Sequence, residues 1–233
     1  MRSFTKALSS LLTVLLALLL FTGAAAFAVE TEEAAKIADT ICGLAAEKEK
    51  EITPLLQSME NDSRKLIGLE HRLKTPDSTA RKLLLNAHDM EISLEEAADT
   101  VKDALRYTFC LADEAYTDGV DEILKVLDER GFTFDKVKNY WGSEGYKGIN
   151  TNPVTPDGFV FEIQFHTQDS YDAKEVKTHA LYEIVRSEES SEAEKEEASA
   201  KQLEIFAAVP VPEGAADYVW SGSQSRKGQD SNG

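Results

Sequence analysis

Apolar and polar residues alternate most strictly within Phe159–Thr167, where Phe159, Phe161, Ile163 and Phe165 take one parity and Glu162, Gln164 and His166 the other. Successive side chains of a strand point to opposite faces. The pattern therefore predicts a strand with one face on a core and a carboxylate, an amide and an imidazole on the other. A face that met only solvent would normally carry Lys, Thr or Ser, so these three polar residues mark a candidate site.

The rest of the chain divides by the same reading. Residues 30–68 carry apolar positions at helical spacing, first Ile37, Ile41, Leu44 and Ala45, then Ile52, Leu55, Leu56 and Met59, until Gly68 breaks the pattern. Leu69–Lys74 is a short strand candidate, and Pro76-Asp77-Ser78 supplies helix-start chemistry for a helix over Thr79–His88. Ser93 and Glu96 have capping-box spacing and predict a helix to about Val101. Asp103–Leu111 reads as a strand, Tyr116–Arg130 as an amphipathic helix closed by Gly131, and Phe132–Trp141 as another strand. A further strand begins within Gly145–Asn150, a turn falls at Thr155–Gly158, and a helix follows over Tyr171–Arg186. Helices at both ends with strands between them predict an α+β domain whose mixed sheet is flanked by helices.

The ends and the charge narrow the setting. Arg2 and Lys6 precede an apolar run over Ala7–Phe21, and Ala26-Phe27-Ala28 follows it. A basic start, a short apolar middle and an A-x-A site read as a secretory signal peptide cleaved after Ala28, which places the folded part outside the cytoplasm. Removing that leader takes away Arg2 and Lys6 and no acid, so the formal charge of −17 becomes −19. So acidic a chain has no general attraction for a nucleic acid backbone, although a local basic pocket can still hold phosphates. Much of the acid sits in Ser187–Glu197, read as a solvated helix or a connection. Phe206–Trp220 reads as a packed C-terminal extension away from the site, and residues 221–233 as a disordered tail. The two cysteines, Cys42 and Cys110, make neither a disulfide scaffold nor a thiolate metal site, and leave one bridge or two thiols open.

Four clusters carry chemistry. Arg72, Lys74, Ser78 and Lys82 form Arg-x-Lys-x3-Ser-x3-Lys from a strand end into the first turn of a helix. Ser78 and Lys82, four apart, share a helix face, and the N–H groups that open a helix bind anions, so the cluster is a candidate triphosphate cradle. Asp103, with Arg106 three residues later, can hold Mg²⁺ jointly with Glu162, because Mg²⁺ takes one or two protein carboxylates and completes its shell with phosphate and water. Gly145-Tyr-Lys-Gly-Ile-Asn150 follows Lys138-Asn-Tyr-Trp141, which sets the Tyr146 ring and a cation beside a glycine turn, able to stack on a base. Singly, each fragment has a plainer reading: a basic strand–helix corner, an Asp cap, a half-buried sheet tyrosine.

Their order is what discriminates. Arg-x-Lys-x3-Ser-x3-Lys, Asp-x2-Arg, Gly-Tyr-x3-Asn, Glu-Ile-Gln-x-His-Thr and His179-Ala-Leu-Tyr182 together resemble the synthetase domain of the RelA/SpoT family, over roughly residues 70–186. The resemblance implies a nucleotidyltransferase-like fold that moves the β,γ-pyrophosphate of ATP to the 3′-hydroxyl of a purine nucleotide, with Mg²⁺. It implies a synthetase core over residues 69–187, after an N-terminal helical segment over 29–68 and before an acidic helix and extension over 188–220. Arg72, Lys74, Ser78, Lys82 and Arg106 would bind ATP, Asp103 and Glu162 would hold the metal, and Glu162 would activate the acceptor hydroxyl. Tyr146 would stack on the acceptor base, with Lys138, Asn150, Gln164 and His166 around it.

This chain departs from the family at the acceptor side. Gly145-Tyr-Lys-Gly-Ile-Asn150 stands where the family commonly has Gly-Tyr-x-Ser-x-His, and His166 stands where it has Arg. The segment from Lys138 to Tyr146 is also shorter, and there is no room for the hydrolase domain of the bifunctional members. Two other readings are a toxin relative that modifies the 3′ end of tRNA, and a nucleotide-binding module without catalysis. Against the second stands the retention of both Asp103 and Glu162.

Overall fold

The structure is a computed structural model that describes residues 2–187 and 189–222, with side chains from Val29 onward. The leader expected over residues 1–28 lies outside the residues whose side chains are described, as does the expected tail from residue 223. Among the described residues no helix is long and apolar enough to cross a membrane.

The chain forms two compact units interleaved in sequence: residues 1–44 with 75–101, and residues 45–74 with 102–233. The first unit is helical and comprises the early part of α1 (Arg2–Gln57), α2 (Pro76–Met90) and α3 (Leu94–Ala98). Thr75 caps α2 by accepting the Ser78 N–H at 3.2 Å, and Pro76 occupies the first turn, where a missing N–H costs nothing. Ser93 and Glu96 make the capping box of α3 in both directions. Ala34 and Ala38 of α1, four apart and fully buried, meet Leu83, Ala87, Leu94 and Ala97, so this core is built mainly from small residues and leucines.

The second unit holds the sheet. Its order is β1 (Arg64–Ile67), β2 (Arg106–Leu111), β5 (Glu162–His166), β4 (Ile149–Val154) and β3 (Thr133–Asn139), with β2 and β5 parallel and the other pairs antiparallel. Helices α4 (Tyr116–Glu129), α5 (Gln168–Asp172), α6 (His179–Arg186) and α7 (Glu192–Ala207) flank it. One sheet face carries Tyr107, Phe109, Leu111, Ile149, Ile163 and Phe165, all buried. Phe109 and Phe165 stack at 6.0 Å, Tyr116 of α4 donates its hydroxyl to the Phe165 carbonyl at 2.7 Å, and the Tyr107 hydroxyl meets Thr53 of α1 at 2.6 Å.

Three elements differ from the sequence expectation. The helical reading over 30–68 ends at Gln57 and is followed by β1, a strand of four residues paired on only one side, too short to show a period of its own. Leu69–Lys74 is not a strand: Gly68, at φ 63°, turns into a 3₁₀ turn over Leu69–His71, after which only Leu73 bridges Leu105. The helix expected over Tyr171–Arg186 is three pieces, α5, a π-helical turn over Ala173–Lys177, and α6. The turn at Thr155–Gly158 stands as expected, with Gly158 at φ 92° and its N–H on the Thr155 carbonyl at 2.8 Å.

Candidate active site

Register assembles the site. Arg106 lies opposite Glu162, Thr108 opposite Gln164, and Cys110 opposite His166 across the parallel β2–β5 pair. Gln164 lies opposite Asn150 of β4, and Asn150 opposite Lys138 of β3. Because side chains alternate, Arg106, Thr108, Glu162, Gln164, His166, Asn150 and Lys138 share one sheet face. Part of this face is interior: Thr108 and Gln164 are buried and His166 is 0% exposed, whereas Arg106, Glu162 and Asn150 are half-buried and Lys138 is exposed. The buried polar groups are satisfied by hydrogen bonds within the protein.

Two chains of donors end on Glu162. In the shorter one, Lys174 Nζ donates to Gln164 Oε1 at 2.7 Å, and Gln164 Nε2 donates to Glu162 Oε2 at 3.0 Å. In the longer one, the Ser170 hydroxyl meets His166 Nδ1 at 2.8 Å and His166 Nε2 meets the Tyr146 hydroxyl at 2.8 Å. Tyr146 donates to Asn150 Oδ1 at 2.8 Å, and Asn150 Nδ2 reaches Glu162 Oε1 at 3.5 Å. His166 thus links the Tyr146 and Ser170 hydroxyls through its two ring nitrogens, and as a neutral ring it donates through one and accepts through the other. Burial, helped by the Lys174 charge, holds the His166 pKa well below 6.5, as this neutral ring requires.

Burial pushes the Glu162 carboxyl above its ordinary value; Arg106 and Lys174 oppose that shift, and the Asp103 charge adds to it. Asp103 lies three residues before β2 rather than opening it, and its Oδ2 is 3.0 Å from Lys74 Nζ. Backbone pairing places it there: Lys74 N–H bonds the Ala104 carbonyl at 3.0 Å, and Arg106 N–H the Arg72 carbonyl at 2.8 Å. A carboxylate whose ionisation is opposed by a second carboxylate suits an oxygen-seeking cation such as Mg²⁺. Among the described residues no group of three or more His, Cys, Asp and Glu comes together, so such a cation would take the rest of its shell from substrate and water.

The other expected residues are placed as follows. Arg72 is engaged within the protein, with Nε on Glu49 Oε1 at 2.7 Å and Nη1 on the Leu69 carbonyl at 2.6 Å. The Thr53 hydroxyl and then Arg72 hold the Glu49 carboxyl below its ordinary value, so this cation also serves the fold. Ser78 and Lys82 lie on α2 in the other unit. Lys138 Nζ sits 4.6 Å from the Tyr140 ring centroid, and Tyr140 meets Tyr146 edge-on at 5.3 Å. Gly148 permits this loop to close on β5: a Cβ there would lie 2.9 Å from the Phe165 carbonyl and 3.1 Å from the His166 ring.

Sequence reasoning missed Lys174, Ser170 and Phe206. Lys174 and Ser170 sit in a stretch where lysines and serines read as helix surface. Phe206 of α7 was assigned to an extension away from the site, yet its ring lies 6.2 Å from that of Tyr146. Cys110 has a free thiol, which donates to Gln168 Oε1 at 3.6 Å.

Comparison with known proteins returns solved structures only. One similar structure is the small alarmone synthetase 1 from Bacillus subtilis bound to its product pppGpp, at 18% identity over 72% of this chain and 87% of that one, with a TM-score of 0.49. Another is the complex between the Type VI effector Tas1 and its immunity protein, at 20% identity, 75% and 98% coverage and a TM-score of 0.47. A third is a GTP pyrophosphokinase family protein from Streptococcus pneumoniae, at 13% identity, 73% and 84% coverage and a TM-score of 0.44. No protein-family profile and no curated protein matches the chain.

Proposed function

We propose that this protein is a nucleotide pyrophosphokinase, which transfers the β,γ-pyrophosphate of ATP to the 3′-hydroxyl of a purine nucleotide. The observation that carries the reading is the placement of the half-buried Glu162 carboxylate, opposite Arg106 across the β2–β5 pair and accepting from Gln164 Nε2 at 3.0 Å. The order of motifs that resembles the RelA/SpoT synthetases supports it.

Arg106 and Lys74 would hold the ATP phosphates, with Arg72 beside them; the part of Ser78 and Lys82 rests on the sequence motif. Glu162 takes the proton of the acceptor 3′-hydroxyl, and a raised carboxyl is the better base for that task. The freed oxygen attacks the β-phosphorus, the bond from that phosphorus to the bridging oxygen breaks, and AMP leaves with the bonding pair. Asp103 and Glu162 would hold Mg²⁺, which when bound would neutralise charge on the transferring oxygens. The Tyr146 hydroxyl is already committed to His166 and Asn150, so only its ring remains to meet an acceptor base. The leader read over residues 1–28 would put the reaction outside the producing cytoplasm; finding the protein only inside that cytoplasm would overturn this part.

The test is AMP release from ATP and Mg²⁺ with a panel of AMP, ADP, GDP, GTP and deacylated tRNA, resolved by chromatography. A pyrophosphorylated product with one acceptor, lost in Glu162→Gln, establishes the reaction. ATP binding without AMP from any acceptor removes it and leaves a binding module.

A further inference from the structure

We propose that Lys174 is a positioning residue for Glu162, acting through Gln164, and that the π-helical turn is the device that brings it to the sheet. The inference rests on the pyrophosphokinase reading and deepens it.

A glutamine next to a carboxylate can present either end of its amide. If the carbonyl faced Glu162, two oxygens would meet and the carboxylate would be pushed aside. Here the carbonyl oxygen is claimed by Lys174 Nζ at 2.7 Å, which turns the amide N–H toward Glu162 Oε2 at 3.0 Å. Lys174 has no acceptor capacity, so the relay runs in one direction only. The ammonium is itself held by Glu175 Oε1 at 2.6 Å, and its side chain is 21% exposed, too enclosed to swing freely into solvent.

The helix geometry explains how a neighbouring pair can do this. Lys174 and Glu175 lie inside the π turn over Ala173–Lys177, whose closing bond runs from Thr178 N–H to the Ala173 carbonyl at 2.9 Å, across five residues. Such wide turns are rare and are frequently found at functional sites. The Thr178 hydroxyl bonds the Lys174 carbonyl at 3.1 Å and secures the turn at the residue that matters. Asn150 reaches the other Glu162 oxygen only at 3.5 Å, so Gln164 is the stronger constraint on the carboxylate.

The experiment compares Lys174→Met and Lys174→Arg in the purified protein, by crystal structures with a non-hydrolysable ATP analogue and by kinetics. In Lys174→Met we expect the Gln164 amide to turn over and the Glu162 carboxylate to leave its place. With an active wild type, kcat should fall on the order of 10²-fold, as for an approximately 1 Å misplacement of a reacting group, with KM for ATP unchanged. Lys174→Arg keeps a donor and should restore the Glu162 position and much of kcat. A Glu162 carboxylate that stays in place in Lys174→Met overturns the proposal. A rise in KM with kcat intact also overturns it, because Lys174 would then be a ligand of substrate phosphates. Should the wild type release no AMP, the pyrophosphokinase reading fails while the crystal structures still decide whether Lys174 orders Glu162.

Discussion

The two faces of β5 are both buried from Ile163 to His166 and are held by opposite means. On one face Phe109, Ile163 and Phe165 pack against their neighbours, and the stabilisation grows with the apolar area removed from water. On the other, Gln164 and His166 are equally buried and persist because every polar atom that reaches inward finds a partner. The apolar face tolerates changes that preserve volume; the polar face tolerates few, since removing one partner strands the next. Stability is concentrated on one side of β5 and chemistry on the other, within five residues.

The largest way to separate the faces is Glu162→Gln. It should lower turnover on the order of 10²–10⁴-fold while the circular dichroism spectrum stays that of the folded protein. Phe165→Ala, its neighbour three residues on, should do the reverse: about 3–5 kcal/mol of unfolding free energy lost in urea titration. Gly148→Ala tests the place where the faces share a backbone. Its new Cβ would press on the Phe165 carbonyl and the His166 ring, so a cost of about 1–3 kcal/mol together with a loss of turnover is expected. If stability falls and turnover does not, the loop is not part of the site.

The finest distinction is in pH. His166 stays neutral in the folded protein, with a pKa well below 6.5, whereas the unfolded chain takes up a proton near that value. The unfolded state thus binds more protons as pH falls, and stability contributed by His166 is full above about pH 6.5 and lost below it. The slope is about 1.4 kcal/mol per pH unit until the folded pKa is reached. His166→Gln, measured against the wild type from pH 7 to 5 by urea unfolding, should show a flatter profile. Equal slopes would mean that His166 charges inside the fold.

The alternation at Phe161–His166 made β5 legible because an apolar face and a polar face differ at every step. It also brought Glu162, Gln164 and His166 out as candidates. What alternation does not reveal is how far a polar face is buried, and here Gln164 and His166 are. β1 was missed because Arg64-Lys-Leu-Ile67 continues an apolar spacing already helical upstream, and four residues are too few to show another period. The reading of Leu69–Lys74 as a strand failed because Gly68 begins a turn that only tertiary pairing of Leu73 with Leu105 then straightens. Lys174 was invisible since a lysine among Asp172, Glu175 and Lys177 looks like ordinary helix surface. Only the wider turn and its contact with Gln164 give it a role, and neither has a local sequence signal.

The ion pair between Lys74 and Asp103 gives the proposed site a resting state of its own. Asp103, which would receive a cation, and Lys74, which would receive a phosphate, are ion-paired to one another without substrate. A lone cation would have to outcompete the lysine, and a lone phosphate the aspartate, so either is disfavoured; arriving together, they exchange one pair for two. The protein would then select the metal–nucleotide complex over its separate parts, and would stay closed to the stray ions that so acidic a surface attracts.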